Sequence, residues 1–195
     1  MIHDVDASLR ELIEQEALAD AQVEVVFDAP TTGWAAKRTG PAIDVFLYDL
    51  REDVTRREAQ VRPAKDHNGR ITGRQRGVRF FRMSYLLTAW TSRPVDEHRL
   101  LGRLLEALIE HDQIPGRHLQ GRLAGKAVPF TVALPAAPDR SLSDLWSALG
   151  GEMKPSLDLV LTVPVEPSRT YEVGAPVLHR PEVTVLRKEP DEVTR

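Results

Sequence analysis

Residues 144–165 read DLWSALGGEMKPSLDLVLTVPV, and the pattern of this stretch changes midway. Its first part predicts a short helix that Ser141 or Ser143 caps and that carries its apolar residues on one side. The pair Gly150–Gly151 supplies the positive φ angles that end such a helix. From Leu157 to Val163 every second residue is apolar, which predicts a strand with one buried face. Because the stretch holds no acid-base pair, cysteine or phosphate loop, we interpret it as structural.

Two longer helices are predicted upstream of this stretch. Apolar residues recur at three- and four-residue steps from Asp4 to Ala19, and Asp4 or Asp6 is suited to cap that helix. The run DEHRLLGRLLEALIEH, residues 96–111, carries a broad leucine stripe and predicts a helix that begins at Asp96.

Four further runs have the β-branched, aromatic or alternating composition of strands. They are VEVVF (23–27), IDVFLYDL (43–50), GVRFFRMSYLLTAW (77–90) and KAVPFTVALP (126–135). Pro129 removes a backbone donor from the last run, which predicts that this strand lies at a sheet edge or contains a bulge.

These elements predict a mixed α/β (α+β) fold, in which a mostly antiparallel sheet is packed on one face by the two main helices. We assign this domain to residues 1–165. Residues 166–195 are interrupted by prolines, which predicts an extended C-terminal arm or appended edge strand with a disordered, charged end.

The segment that follows IDVFLYDL is polar and basic. Residues 51–82 hold ten Lys or Arg against four Asp or Glu, a local charge of +6, so the rest of the chain carries −9. A turn signal at Asn68–Gly69 predicts that two antiparallel strands are joined by a long, mobile, basic hairpin loop. Such a charge asymmetry is typical of a surface that meets a charged partner.

The composition is that of an ordinary globular protein, with 195 residues of which 42% are hydrophobic and 28% are charged. The first residues lack the basic start and apolar run of a signal peptide, and no stretch approaches the roughly 20 apolar residues that span a bilayer. We therefore expect folding in the cytoplasm and no membrane partner. The absence of cysteine excludes disulfides, thiol nucleophiles and thiolate metal sites.

The sequence contains no G-x-S-x-G, P-loop or G-x-G-x-x-G motif for catalysis or cofactor binding. None of the six histidines forms a helical two-histidine pair with a glutamate between. The nearest metal candidates are His111 and His118 with Glu110 and Asp112, but a Pro-Gly turn separates the two histidines, so surface histidines are the favoured interpretation. We expect no enzyme activity, no cofactor and no metal site.

The three tryptophans have different expected roles. Trp90 ends an alternating strand and Trp146 lies on the apolar side of a short helix, so we expect both to pack in the core. Trp34 lies in a loop with Pro30 and Gly33, where an exposed tryptophan is typically an interface anchor.

Four runs, taken in order, resemble one family. They are PAIDVFLYDLRED (41–53), RFFRMSYLLTAWT (79–91), HRLLGRLLEAL (98–108) and DLWSALGGEMKPSLDLVLTVPV (144–165). They are similar to the N-terminal domain of the tail-terminator, or cap, proteins of extracellular contractile injection systems, the phage-tail-like particles of the antifeeding-prophage and virulence-cassette type. The resemblance covers residues 1–165, and its most specific parts are F-L-Y-D-x-R-E, Y-L-x-T-A-W and W-x-x-L-G.

The resemblance implies a structural protein without catalytic residues. It implies mixed α/β subunits that form a hexameric ring, cap the distal end of the inner tube and sheath, and stop their polymerisation. The last sheath layer has open strand edges, which a cap must satisfy without offering new ones. The implied partners are further copies of the chain and the tube and sheath proteins, and the cap becomes part of the particle after assembly in the cytoplasm.

We predict the basic hairpin and the loop tryptophan as partner interfaces, and the C-terminal arm as a strand for a neighbour's sheet edge. The predicted interface residues are Trp34, Arg56, Arg57, Arg62, Lys65, Arg70, Arg74 and Arg76. Two alternatives stay open, a nucleic-acid-binding module that uses the basic 51–82 loop and an enzyme with an unrecognised site. Nucleic acid is disfavoured as a partner because no aromatic residue for base stacking lies between Val54 and Val78.

Overall fold

The computed structural model describes residues 1–58, 60–134 and 141–171. The helices are α1 (Ile2–Leu12), which continues as a π-helical turn (Ile13–Ala17), α2 (Thr32–Ala35), α3 (Pro94–Ile109) and α4 (Leu142–Leu149). The strands are β1 (Glu24–Val26), β2 (Ala42–Glu52), β3 (Arg62–Lys65), β4 (Ile71–Gln75), β5 (Arg79–Trp90), β6 (Phe130–Val132), β7 (Ser156–Val165) and β8 (Thr170–Tyr171). Single 3₁₀ turns lie at Val54–Arg56, Gly116–His118 and Gly121–Leu123.

The main sheet has five strands in the order β1-β2-β5-β7-β6. β1 is parallel to β2 and every other pair is antiparallel, which confirms the predicted mixed fold with a mostly antiparallel sheet. β2 and β5 pair from Ala42 opposite Trp90 to Glu52 opposite Phe81, with a bulge between Leu47 and Asp49. β6 lies at an edge directly after Pro129, as predicted.

One face of this sheet packs against α1 and α3, and this contact forms the core. Met83, Tyr85, Leu87 and Ala89 of β5 all point to that face, in the alternation that the sequence predicts. The partners from the helices and the other strands include Val5, Leu9, Leu12, Ile43, Val45, Leu100, Leu104, Leu108, Leu159, Leu161 and Val163. The other side of β5 is covered too, since Ser84, Leu86 and Thr88 are fully buried.

The ends of the helices differ in part from the sequence prediction. The N-cap of α1 is Met1, and Asp4 lies inside the first turn with a carboxylate oxygen 3.2 Å from the terminal amine, so the prediction of an Asp4 or Asp6 cap is wrong. α3 begins at Pro94 rather than Asp96, because proline suits the first helical turn. The Ser141 cap at the start of α4 and the left-handed Gly150 at its end are confirmed, whereas Gly151 does not take the predicted positive φ.

The predicted basic loop contains a second, smaller sheet in the order β3-β4-β8. A turn joins β3 to β4, where Asp66 Oδ1 accepts hydrogen bonds from the backbone N–H groups of Asn68 and Arg70, each at 2.9 Å. Gly69 takes a φ of 77° in that turn, in keeping with the Asn-Gly signal. A long structureless loop is therefore the wrong description of this segment.

The last described residues of the predicted C-terminal arm, Thr170 and Tyr171, complete this small sheet. Arg74 lies opposite Tyr171 and Gln75 opposite Thr170, and Gln75 Nε2 donates to Thr170 Oγ1 at 3.0 Å. The strand of the arm thus pairs with the hairpin of its own chain. The rest of the arm, residues 172–195, lies outside the described residues.

Gly73 makes this pairing possible, and its replacement should release β8. A Cβ atom at Gly73 would lie 2.3 Å from Thr170 Cγ2 and 2.7 Å from the backbone oxygen of Tyr171. Because overpacking of this kind costs about 1–3 kcal/mol, we expect Gly73→Ala to speed amide exchange in residues 170–171 by roughly ten- to a hundredfold. Gly102→Ala in α3 is the matched control, since its Cβ meets nothing within 4 Å. Equal exchange in the two variants would contradict the close approach of β8.

Candidate assembly interface

The hairpin of the small sheet collects most of the predicted interface residues. Arg62 and Lys65 belong to β3, Arg70 follows the turn, Arg74 belongs to β4 and Arg76 comes directly after it. All five side chains are exposed. The structure thus concentrates positive charge on one projecting element.

Local carboxylates neutralise some of the predicted cations. Arg57 donates from Nε and Nη2 to the two carboxylate oxygens of Glu52, at 2.7 and 2.6 Å. These hydrogen bonds, with the attraction between the charges, raise the pKa of Arg57, and they lower the pKa of Glu52. Arg62 lies 2.6 Å from Glu58, and the guanidinium of Arg56 lies 4.6 Å from the ring centre of Phe80. Arg56 and Arg57 therefore have partners within the chain.

The remaining hairpin cations have no such neutralisation. Over the ranges that the structure describes, no carboxylate pairs with Lys65, Arg70 or Arg74. Arg74 lies on β4 directly opposite Tyr171. The outer part of the hairpin is therefore the segment of the predicted interface with free positive charge, which can attract an acidic partner.

Tyr171 adds an aromatic ring that the sequence analysis missed. The guanidinium of Arg76 lies 5.9 Å from the centre of this ring and that of Arg169 lies 5.3 Å from it. The ring is 39% exposed. It reaches the hairpin from a segment more than ninety residues away in the sequence, and no local pattern in the sequence signals such a pairing.

Trp34 lies far from the hairpin and is only half exposed. Its ring packs edge-on against Trp90, with 5.2 Å between the centroids and 80° between the planes, and its Nε1 donates to Asp28 Oδ2 at 3.1 Å. Trp90 ends β5 and the hairpin precedes β5, so the length of this 12-residue strand, about 35 Å, separates the two features. Trp34 and the hairpin therefore do not form one surface patch.

The core role predicted for Trp90 is wrong, while the one predicted for Trp146 is confirmed. Trp90 is half-buried at the rim of the sheet, where Lys154 Nζ lies 4.0 Å from its ring centre. Lys154 also lies 2.6 Å from Glu97 Oε1. Trp146 is 2% exposed.

The two histidines considered as metal ligands both hydrogen-bond to Glu16, and the interpretation as a surface histidine is wrong for His118, which is 1% exposed. Glu16 accepts hydrogen bonds from His111 Nε2 at 2.6 Å, from His118 Nε2 at 2.7 Å and from Arg117. Partial burial acts to raise the pKa of Glu16, but these hydrogen bonds outweigh it and hold that pKa at about 2. Within the described residues, no group of three or more His, Asp or Glu side chains is arranged to hold a metal ion. The cluster therefore ties the π-helical turn to the segment after α3.

A second unusual acid, Asp44, lies on the other face of the sheet. It is fully buried beside Thr88, and neither carboxyl oxygen has a hydrogen-bond partner of good geometry among the described residues. Burial raises the pKa of Asp44 to about 8, and the charge of Asp28 adds to this rise. A catalytic acid needs access to its substrate, and full burial denies that access to Asp44.

No helix in the part of the chain that the structure describes is long and apolar enough to cross a membrane.

Two solved structures of capping proteins have a similar fold. One is the sheath/tube terminator of an extracellular contractile injection system, PVC, in its extended state, at 23% identity and a TM-score of 0.70, covering 97% of this chain and 65% of that chain. The other is the tube terminating cap of the anti-feeding prophage, at 25% identity and a TM-score of 0.67, covering 94% of this chain and 62% of that chain. The chain thus spans just under two thirds of the length of these caps.

The fold is that of the tube and sheath terminators of contractile injection systems. A family model described as the Pvc16 N-terminal domain matches residues 4–179, and the chain belongs to this family. The resemblance noted in the sequence is thereby confirmed, and the match extends past Val165 into the predicted arm. A comparison with curated proteins found no match.

Proposed function

We propose that this chain is a non-enzymatic assembly protein, which forms a hexameric ring and ends the growth of the tube and sheath of a contractile injection particle. The observation that carries this proposal is the fold it shares with two terminator caps over more than nine tenths of its length. Assembly takes place in the cytoplasm, and the ring then becomes part of the particle.

The edges of the main sheet support a terminating role. β1 and β6, the two edge strands, are three residues long each. The guanidinium of Arg10 donates to the outer strand β1 at the backbone oxygen of Val25, and Pro129 precedes β6. Short edges that carry a cation or a proline resist the addition of another strand. Within the described residues, the main sheet therefore offers no long open edge on which sheath subunits could continue to pair.

The outer hairpin supplies the contact with the particle in this proposal. Its unpaired cations, Lys65, Arg70 and Arg74, dock on an acidic surface of the tube or of the adjacent subunit. Trp34 anchors a second contact about 35 Å away, on the other side of the subunit. The arm, residues 166–195, reaches a neighbouring subunit through the part that follows Tyr171.

Reversal of the free hairpin charges should abolish the control of particle length. We expect Arg70→Glu with Arg74→Glu to give tubes and sheaths whose lengths spread widely, because the like charges repel the acidic docking surface. The measurement is the length distribution of particles by electron microscopy, with the wild-type cap, the variant and no cap. Lys37→Glu with Arg103→Glu makes the same charge change on α3 and beside α2, and should leave the lengths uniform. Uniform lengths with the hairpin variant would contradict the docking role.

A further inference from the structure

A groove runs along the linker between β7 and β8, at the base of the hairpin. One part of it is a cavity of about 230 Å³ whose walls include Arg62, Arg76 and Arg122. The other part, about 290 Å³, has Leu123 and Pro164 among its walls. Both parts share Arg122 and the segment 166–168 as wall residues, so they adjoin, and together we call them the linker groove.

The linker groove has an excess of positive charge. Its one acid, Glu166, lies 3.3 Å from Lys126, and Arg62 is paired with Glu58. In the described ranges, no carboxylate pairs with the guanidinium of Arg76 or Arg122, while the backbone N–H of Arg122 hydrogen-bonds to Asp4. Two guanidinium groups at the wall of a narrow depression favour a ligand with carboxylates, because each guanidinium can donate two parallel hydrogen bonds to a carboxylate.

The other walls of the groove are apolar. Val78 lines the hairpin end, and Leu123, Pro164 and Val165 line the far end. Val78 is 9% exposed and Leu123 is 1% exposed, so most of the apolar surface open to a ligand comes from the partly buried Pro164 and Val165. A ligand that fills both parts therefore needs acidic groups for the hairpin end and apolar groups for the far end.

This combination fits an extended protein segment better than a nucleic acid. Bases bind such surfaces by stacking on an open aromatic face. The aromatic ring beside the groove is Tyr171, and Arg76 and Arg169 already lie against it. An extended peptide, by contrast, places successive side chains alternately, so that acidic and apolar groups reach different walls.

We propose that the linker groove binds an extended segment of a partner protein in which acidic and apolar residues alternate. The carboxylates pair with Arg76 and Arg122, and the apolar side chains pack on Pro164 and Val165. The binding of such a segment deepens the proposed function. It rests on that function in one respect, because the function identifies the partner as a protein of the particle. The chemistry of the groove itself is independent of the particle and can be tested with the isolated chain.

The test uses a fluorescein-labelled peptide of ten residues that alternates glutamate and leucine, with binding followed by fluorescence anisotropy at physiological salt. We expect Arg122→Glu, alone and with Arg76→Glu, to weaken binding by at least about tenfold, the equivalent of 1.4 kcal/mol. Lys37→Glu with Arg103→Glu is the control of equal charge and should change the affinity by less than about twofold. Replacement of glutamate by glutamine, or of leucine by serine, in the peptide should each weaken binding.

Three results would overturn the proposal. They are equal weakening by the groove and control variants, equal binding of the glutamine peptide, and tighter binding of a single-stranded oligonucleotide of the same charge. Arg122→Glu leaves Arg76 and Tyr171 untouched, so its effect does not depend on the docking of β8. The peptide-binding experiment contains no tube, so its failure is distinct from failure of the length assay. The length assay changes Arg70 and Arg74, which lie outside the groove.

Discussion

Replacement of Glu16 by alanine should lower the free energy of unfolding by about 3 kcal/mol at pH 7. The carboxylate accepts hydrogen bonds from His111, His118 and Arg117, and its side chain is 19% exposed. His118 is 1% exposed, so the loss of its acceptor leaves a buried N–H group without a partner. The cluster also joins the end of the first helical element to the segment after α3, so its loss loosens both.

The pH dependence gives a sharper form of this prediction. The pKa of Glu16 is about 2 in the folded chain, against an ordinary value of 4.5 for a glutamate. A lowered folded pKa contributes stability that is fully present above about pH 4.5 and is lost as the pH falls towards 2. Glu16→Gln should remove that part of the acid sensitivity. Urea unfolding from pH 7 to pH 2 measures it.

Glu14→Ala is the matched control for this experiment. Glu14 lies in the same π-helical turn, its side chain is 46% exposed and its nearest cation, Arg10, is 3.7 Å away. Such a surface pair contributes at most about 1 kcal/mol. If Glu16→Ala destabilised the chain no more than Glu14→Ala, the cluster would not be a structural tie.

Asp44→Asn should stabilise the chain by about 2 kcal/mol or more at pH 8. Asp44 is 0% exposed and its pKa in the folded chain is about 8, against an ordinary value of 3.8 for an aspartate. Burial is the main cause and the charge of Asp28 adds to it, while Arg38 and nearby backbone N–H groups act in the opposite direction. At pH 8 the wild-type chain must hold either a proton or an uncompensated charge in its interior, and asparagine removes that cost.

The sign of this pH dependence is opposite to that of Glu16. Since the folded pKa of Asp44 is raised, its contribution to stability is fully present below about pH 4 and is lost as the pH rises through 8. The wild-type free energy of unfolding should therefore fall across this range more steeply than that of Asp44→Asn. Chemical unfolding at several pH values measures both curves. The control, Asp112→Asn, changes an exposed acid and should follow the wild type, and parallel curves for Asp44→Asn would contradict a protonated Asp44.

The main sheet and its helices were predictable because they bury one face each. Apolar residues alternate from Met83 to Ala89, and a leucine stripe surrounds Leu104. Each pattern lies within one short segment of the sequence and indicates a face that must be buried. The small sheet carries no such pattern, since β3 contains Pro63 and β4 contains Gly73. Its third strand comes from a distant segment, and the register of such a pairing depends on the fold as a whole.

The candidate interface was predictable in charge but not in detail. Clustering of the hairpin cations follows from their closeness in sequence. Glu52 pairs with Arg57, five residues on, and Glu58 pairs with Arg62, four residues on. The sequence alone does not show which of these side chains meet. Trp90 was assigned to the core because it ends an alternating strand, although the end of a strand lies at the rim of a sheet.

The most direct test of the capping role is imaging of the tube ends in the length assay, with wild-type protein added to purified tubes. We expect a hexameric ring of this protein at one end of each tube and no further growth from that end. A protein that stays monomeric in the presence of tubes, or tubes that continue to grow with the protein bound along their sides, would contradict the capping role.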